Sequence, residues 1–223
     1  MSDERHYGIS RRQVLGASLG VSLGALSTQV FGAPRPDGAL KGRRVLIATG
    51  EFGEALETYY LIFRLLEEGA VPVVAAPTKK RLQLVVHDFE PEYEGYTEKL
   101  GYQLDVDVAY ADVRPDDYAG LLIPGGRAPE EIRQDDDLVA IVGNFLDQKK
   151  PIGAMCHGVM LIYTARPIRG RTMTAYAGIA KDIELLGGRF IDAPVVVDGN
   201  IVTSRGWPDL PYFMPKIIEV MKK

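Results

Sequence analysis

The chain has 223 residues, 46% hydrophobic and 25% charged, the composition of an ordinary soluble globular protein of one or two domains. Its net charge is -4 with no long basic run, which argues against nucleic acid as a main partner, because phosphate binding leaves clustered Lys and Arg. A single cysteine, Cys156, excludes an intramolecular disulfide and any zinc site built on repeated cysteines.

Residues 1–33 read differently from the rest. "SRRQVLG" carries adjacent Arg11 and Arg12, and no further charge appears until Arg35. The apolar gap is diluted by Gly16, Gly20, Gly24, Ser18, Ser22 and Ser27, and "FGA" (Phe31 to Ala33) offers small residues for cleavage. The pattern predicts a twin-arginine export signal over 1–33, a linker over 34–42 and one domain over 43–223. The expected location is therefore periplasmic or extracellular, with the membrane touched only during export. The alternative is an uncleaved N-terminal membrane anchor, since the gap is long enough to span.

From Arg43 onward strand-like and helix-like segments alternate. "RRVLIATG" is a short apolar run of the kind a buried parallel strand shows. "EALETYYLIFRLLEEG" places Leu56, Tyr59, Tyr60, Phe63 and Leu66 at helical spacing, with Gly69 as a stop. "VPVVAAP" and "YAGLLIPGG" read as strands, the second ending in a glycine pair. Residues 81–107, rich in tyrosine and acids, read as an inserted loop or hairpin. "DDDLVAIVGNFLDQKK" is a helix that opens with acids and closes with lysines, matching its dipole. "PIGAM" is a strand and "GVMLIYTA" a helix. "VVVDGNIVTS" signals a hairpin around Asp198-Gly199-Asn200. "PYFMPKIIEVMKK" closes the chain as a helix, its start blurred by Pro215. Such alternation predicts an α/β layered fold with a mainly parallel sheet, and sites at the carboxyl ends of its strands.

Three segments fall at such ends: "TGEFGEALE", "IPGGRAPE" and "MCHG". A strand followed at once by Cys-His-Gly and a helix is a nucleophile-elbow arrangement, in which a sharp turn presents the nucleophile above the sheet. The helix N-terminus then offers free N–H groups that favour the thiolate. The ordinary alternative is a buried cysteine acting as a small hydrophobe. His157 adjoins Cys156 in sequence, so the two side chains are expected to point apart and His157 to need an orienting acid from elsewhere. His87 lies in the tyrosine-rich insertion, where a surface or packing role is the default. No HExxH or CxxC spacing is present, and neither metal nor cofactor is expected. "IPGG" offers backbone N–H groups to an oxyanion.

Together these segments resemble the PfpI family, within the superfamily that also holds the parkinsonism-associated deglycase and the class I glutaminase-like folds. The likeness runs from about Arg43 to Lys223 through "LLIPGGRAPE", "GAMCHGVMLI", "RGRTMTAY", "DAPVVVDGNIVTSR" and "DLPYFM". "VHDFE…YTEKLGY" and "WPDLP" further resemble plant members that act as glutathione-independent glyoxalases. The resemblance implies a flavodoxin-like three-layer sandwich. It implies Cys156 as nucleophile beside His157, and Glu57 as the glutamate that hydrogen-bonds the sulfur. Glu130 matches the acid that reaches a histidine across a subunit interface in protease-like members. Gly126 and the His157 amide match oxyanion donors, and Tyr176 a tyrosine near the sulfur. Glu54 joins Gly126 and Tyr176 on the substrate side. Bland readings exist for each acid: helix-surface charge for Glu54 and Glu57, a solvated helix start for Glu130. Two departures, Val159 after "CHG" and "ARPIRGR" in place of "AGVLRGR", bear on pocket shape.

The implied activity is that of a cysteine-dependent glyoxalase III or deglycase acting on a small carbonyl compound such as methylglyoxal. Two other readings use the same thiol: a PfpI-type peptidase or amidase acting on peptides, and a redox sensor or chaperone. A homodimer or higher homo-oligomer is expected.

Overall fold

The computed structural model describes residues 37–223; the segment expected to be an export signal lies outside the described residues. In chain order the elements are β1 (Arg44–Ala48), α1 (Ala55–Glu67), β2 (Val71–Ala76), β3 (Arg81–Asp88), β4 (Thr97–Asp105), β5 (Val108–Ala109) and β6 (Gly120–Ile123). They continue with α2 (Ala128–Ile132), α3 (Asp136–Asp147), β7 (Ile152–Met155), α4 (Met160–Ala165), β8 (Thr172–Met173) and α5 (Ala180–Leu185). The last are β9 (Arg189–Phe190), β10 (Val195–Asp198), β11 (Ile201–Ser204) and α6 (Leu210–Met221).

Seven strands form one sheet in the order β10-β11-β7-β6-β1-β2-β5, parallel except for the β10–β11 hairpin. Because side chains alternate along a strand, β1 sends Leu46 and Ala48 to one layer and Val45 and Ile47 to the other. The first layer packs with α3, α4 and α5 through residues such as Phe145, Leu161 and Ile183; the second packs with α1 and α6 through Leu61, Leu65, Phe213 and Ile217. The expected α/β three-layer sandwich with a mainly parallel sheet is therefore the observed one.

Local chemistry fixes the helix ends. The Glu54 side chain caps α1 by accepting from the Glu57 N–H at 2.7 Å, and Gly69, at φ +74, follows its last turn. Asp135 caps α3 in the same way through the Leu138 N–H at 3.1 Å. The closing helix begins at Leu210, places Pro211 in the first turn and continues through Pro215. Of the expected linker 34–42, Leu40 is fully buried, and the Ala39 and Leu40 N–H groups bond to Glu68 at the end of α1.

α1 buries Ala55, Glu57, Thr58, Leu61 and Leu65, whereas Leu56 and Phe63 are about half exposed. Of the apolar stripe visible in the sequence, Tyr60 packs against the core, while Leu56 and Phe63 form an exposed strip. It continues across Tyr59, which stacks on Phe63 at 5.9 Å and meets Tyr102 of β4 edge-on at 6.1 Å. The insertion 81–107 is a hairpin, β3 against β4, forming a two-stranded sheet of its own beside the main one. No helix among the described residues is long and apolar enough to cross a membrane.

Candidate active site

The loops after β1 and β6 are fastened to each other. The Glu54 N–H donates to the Gly125 carbonyl at 3.1 Å, the Arg127 N–H donates to the Phe52 carbonyl at 3.0 Å, and Gly53 bridges Gly126. Beside them β7 is followed at once by Cys156, whose φ of +52 is the left-handed region that non-glycine residues avoid. That turn is the strained elbow anticipated from the sequence. It is sustained by close packing behind it: a Cβ on Gly158 would lie 2.3 Å from the Ile123 carbonyl oxygen. The left-handed cysteine also changes a side-chain relation. Cys156 Sγ lies 3.7 Å from His157 Nδ1, so the adjacent pair meets rather than diverges, which corrects the expectation from helical geometry.

Glu57 faces the thiol. Its Oε2 accepts from the Gly125 N–H at 2.5 Å, and a second hydrogen bond comes from the Trp207 backbone. A Cβ placed on Gly125 would sit 2.8 Å from Cys156 Sγ and 3.0 Å from Glu57 Oε2, so sulfur and carboxyl converge on one point that only glycine leaves open. Both glutamates are buried at 1% exposure. Burial, then the neighbouring Glu54, pushes Glu57 from an ordinary 4.5 to about 8. Burial pushes Glu54 to about 7, against hydrogen bonds from Glu57, His87 and Leu56. The bland surface-charge readings of both residues are thereby overturned.

Burial and the Glu57 carboxylate also push the Cys156 thiol up, while the Gly126 and His157 backbone bonds pull it down. The two groups compete for one negative charge. With its proton held to about 8, Glu57 is neutral at neutral pH, and its own repulsion of the thiolate is then removed, leaving burial and Glu54 against it. Burial lowers His157, Glu130 raises it, and His87 lowers it further. Glu130, at the start of α2, thus reaches His157 by charge from within the same chain.

An aromatic wall covers the elbow. Tyr176, with Gly178 making room beneath its ring, lies 5.1 Å from the His157 ring. Tyr96 lies 5.4 Å from Tyr176 and 6.2 Å from His157, edge-on to both. Phe89 links Tyr176 at 6.5 Å to Trp207 at 6.3 Å. Two of these, Phe89 and Tyr96, come from the β3–β4 turn. His87 belongs to the same wall, in the packing rather than the surface role: it is 3% exposed and its Nε2 lies 2.9 Å from Glu98. The signal for it is the cross-strand register, which sets His87 opposite Glu98. Among the described residues no group of three or more His, Cys, Asp or Glu is placed to hold a metal ion.

A parallel α/β sandwich with a left-handed cysteine at a strand-to-helix elbow defines a nucleophile-elbow protein of flavodoxin-like architecture. The chain belongs to the DJ-1/PfpI family, whose model matches residues 43–220. It is 41% identical over 181 residues to an uncharacterised protein of Archaeoglobus fulgidus, covering 81% of this chain and 99% of the relative. It is 36% identical over 179 residues to a deglycase of Pyrococcus abyssi, covering 80% of this chain and 99% of the relative. Its fold matches the crystal structure of a ThiJ/PfpI domain protein from Brachyspira murdochii with a TM-score of 0.70 at 19% identity, over 81% of this chain and 97% of that one.

These comparisons correct the expected location. Each relative is used up almost entirely by the shared domain, and neither has a counterpart to residues 1–33. Export by the twin-arginine pathway, and anchoring by an uncleaved N-terminus, rested on that segment alone and find no support in the family.

Proposed function

We propose that the protein is a cysteine-dependent enzyme that converts reactive dicarbonyls to hydroxy acids without glutathione. The observation that carries this reading is the convergence of Cys156 Sγ and a protonated, buried Glu57 carboxyl on one point beside Gly125. The deglycase name of the Pyrococcus abyssi relative supports a carbonyl-derived substrate.

With methylglyoxal the steps balance without an external oxidant. The Cys156 thiolate adds to the aldehyde carbon and the carbonyl oxygen takes the proton that Glu57 carries, giving a hemithioacetal and an ionised Glu57. The oxyanion formed during addition is met by the Gly126 and His157 N–H groups, which already bond the sulfur region. Glu57, now ionised, removes the hydrogen from that carbon as a proton and returns it to the neighbouring carbon. The product is a thioester of lactate. Water then cleaves the carbon–sulfur bond, releasing lactate and restoring the thiol. His157 serves the oxygen protons, as its neutral ring at neutral pH allows.

A second reading, a peptidase or amidase, is favoured by the 3.7 Å contact between Cys156 and His157, the pair such chemistry needs. The two divide at Glu57, because only the isomerisation moves a proton between carbons. Methylglyoxal and a peptide substrate are offered in parallel. Lactate is expected, and Glu57→Gln should remove it by about 10²-fold or more while Cys156 still reacts with iodoacetamide. Peptide cleavage with methylglyoxal untouched refutes the dicarbonyl reading.

A homo-oligomer belongs to the same proposal. Leu56 and Phe63 of α1 with Leu100 and Tyr102 of β4 leave exposed apolar side chains that a second copy would cover. A monomer by light scattering at micromolar concentration refutes it.

A further inference from the structure

We propose that the Tyr96 hydroxyl is a substrate-contacting donor of this site, recognising the second carbonyl oxygen of a dicarbonyl, and that Arg127, Glu98 and His87 hold it in place. The inference rests on the dicarbonyl reading above and names a group that reading does not use.

The chemistry calls for such a group. Addition at one carbonyl puts charge on the first oxygen, which the Gly126 and His157 N–H groups can meet. The proton transfer that follows puts charge on the second oxygen, one carbon further out. A neutral donor on the outer side of the thiol is needed there.

The geometry supplies one. Tyr96 sits at the end of the turn that joins β3 to β4, directly before Thr97. Its ring lies between the buried His87 ring at 4.3 Å and the site's own His157 and Tyr176 rings. After burial, the groups that most oppose its ionisation are Cys156, Glu130, Tyr176 and Glu98, so the phenol lies within electrostatic range of the thiol and keeps its proton. The residues behind it form a continuous line. Arg127 makes two bonds to the Glu98 carboxylate, at 2.8 and 3.0 Å. Glu98 in turn meets His87 Nε2 at 2.9 Å. The backbone of His87 is fixed as well: its carbonyl accepts from the Trp207 indole at 3.0 Å, and its N–H lies 3.5 Å from the Glu54 carboxylate. Arg127 follows Gly126 directly, so the line begins at the oxyanion loop and ends at the tyrosine.

The test uses the full chain and the variant Tyr96→Phe, which keeps the ring and removes only the hydroxyl. For methylglyoxal, kcat/KM is expected to fall about tenfold or more, the worth of a hydrogen bond to developing charge. The Cys156 adduct with propanal, which has one carbonyl, should form with unchanged affinity, and so should the iodoacetamide adduct. His87→Phe removes the link to Glu98 but keeps an aromatic ring against Tyr96. Its loss should largely vanish in the Tyr96→Phe background, because a positioning residue acts through the hydroxyl it positions. An active wild type whose Tyr96→Phe variant matches it, or that weakens the propanal adduct equally, overturns the role of Tyr96. Additive losses in the double variant overturn the positioning line. A wild type inert to methylglyoxal overturns the dicarbonyl reading, and this inference with it.

Discussion

Gly125 shows how little room the reacting groups have. A methyl group there would lie 2.4 Å from Cys156 Cβ as well as on the sulfur and the Glu57 oxygen, all three held by buried surroundings. Gly125→Ala is therefore expected to displace both reacting groups and lower turnover by about 10²-fold, the effect of a misplacement near 1 Å. Rates of Cys156 alkylation and of lactate formation would both show it; a variant that keeps both rates contradicts the geometry. Glu57 carries a second consequence. Its folded-state pKa lies above its unfolded one, so between about pH 4.5 and 8 the folded chain keeps a proton that the unfolded chain releases. Stability from this group is thus full below pH 4.5 and lost as pH rises toward 8. Urea midpoints should fall across that window, and Glu57→Gln should flatten the fall. A steeper fall in the variant would reverse the assignment. The placement of Cys156, His157 and Gly126 at strand ends was legible in the sequence, because a Cys-His-Gly turn and a glycine pair each close an apolar run. His87 was not, since its partner Glu98 is set by strand register eleven residues away.

The central strands were equally legible, because β1, β6, β7 and β11 are apolar runs buried within the sheet. Helix α1 was legible as a helix but not in its orientation. It is apolar on two faces, and periodicity alone does not say which face meets the sheet. Leu61 is fully buried and Phe63 half exposed. Leu61→Ala should therefore cost about 2–5 kcal/mol of unfolding free energy, and Phe63→Ala less than about 1 kcal/mol. Chemical denaturation of the two variants compares them directly, and equal losses would show that α1 packs differently. The extent of the hairpin was legible from its composition. Its position over the thiol was not, since that depends on bonds from the Phe52 N–H to the Gln83 carbonyl and from the Val85 N–H to the Gly53 carbonyl.

For the molecule as a whole, the boundary of the folded unit lies before the family match. The match opens at residue 43, yet Leu40 is in the core and Ala39 bonds Glu68. A chain beginning at Asp37 should melt about 5 °C or more above one beginning at Arg43, given roughly 2 kcal/mol for a buried leucine in a domain of this size. Equal melting temperatures would move the boundary to 43. The division between the two sheets has a wider bearing. The main sheet holds the thiol, the oxyanion loop and the carboxyl, whereas Phe89 and Tyr96 ride on a ribbon tied to it at a few points. Ribbon positions outside the His87, Tyr96 and Glu98 line can therefore change without touching the thiol or the carboxyl, and exchanging 81–107 between relatives, with that line kept, is a route to new substrates on the same reacting pair.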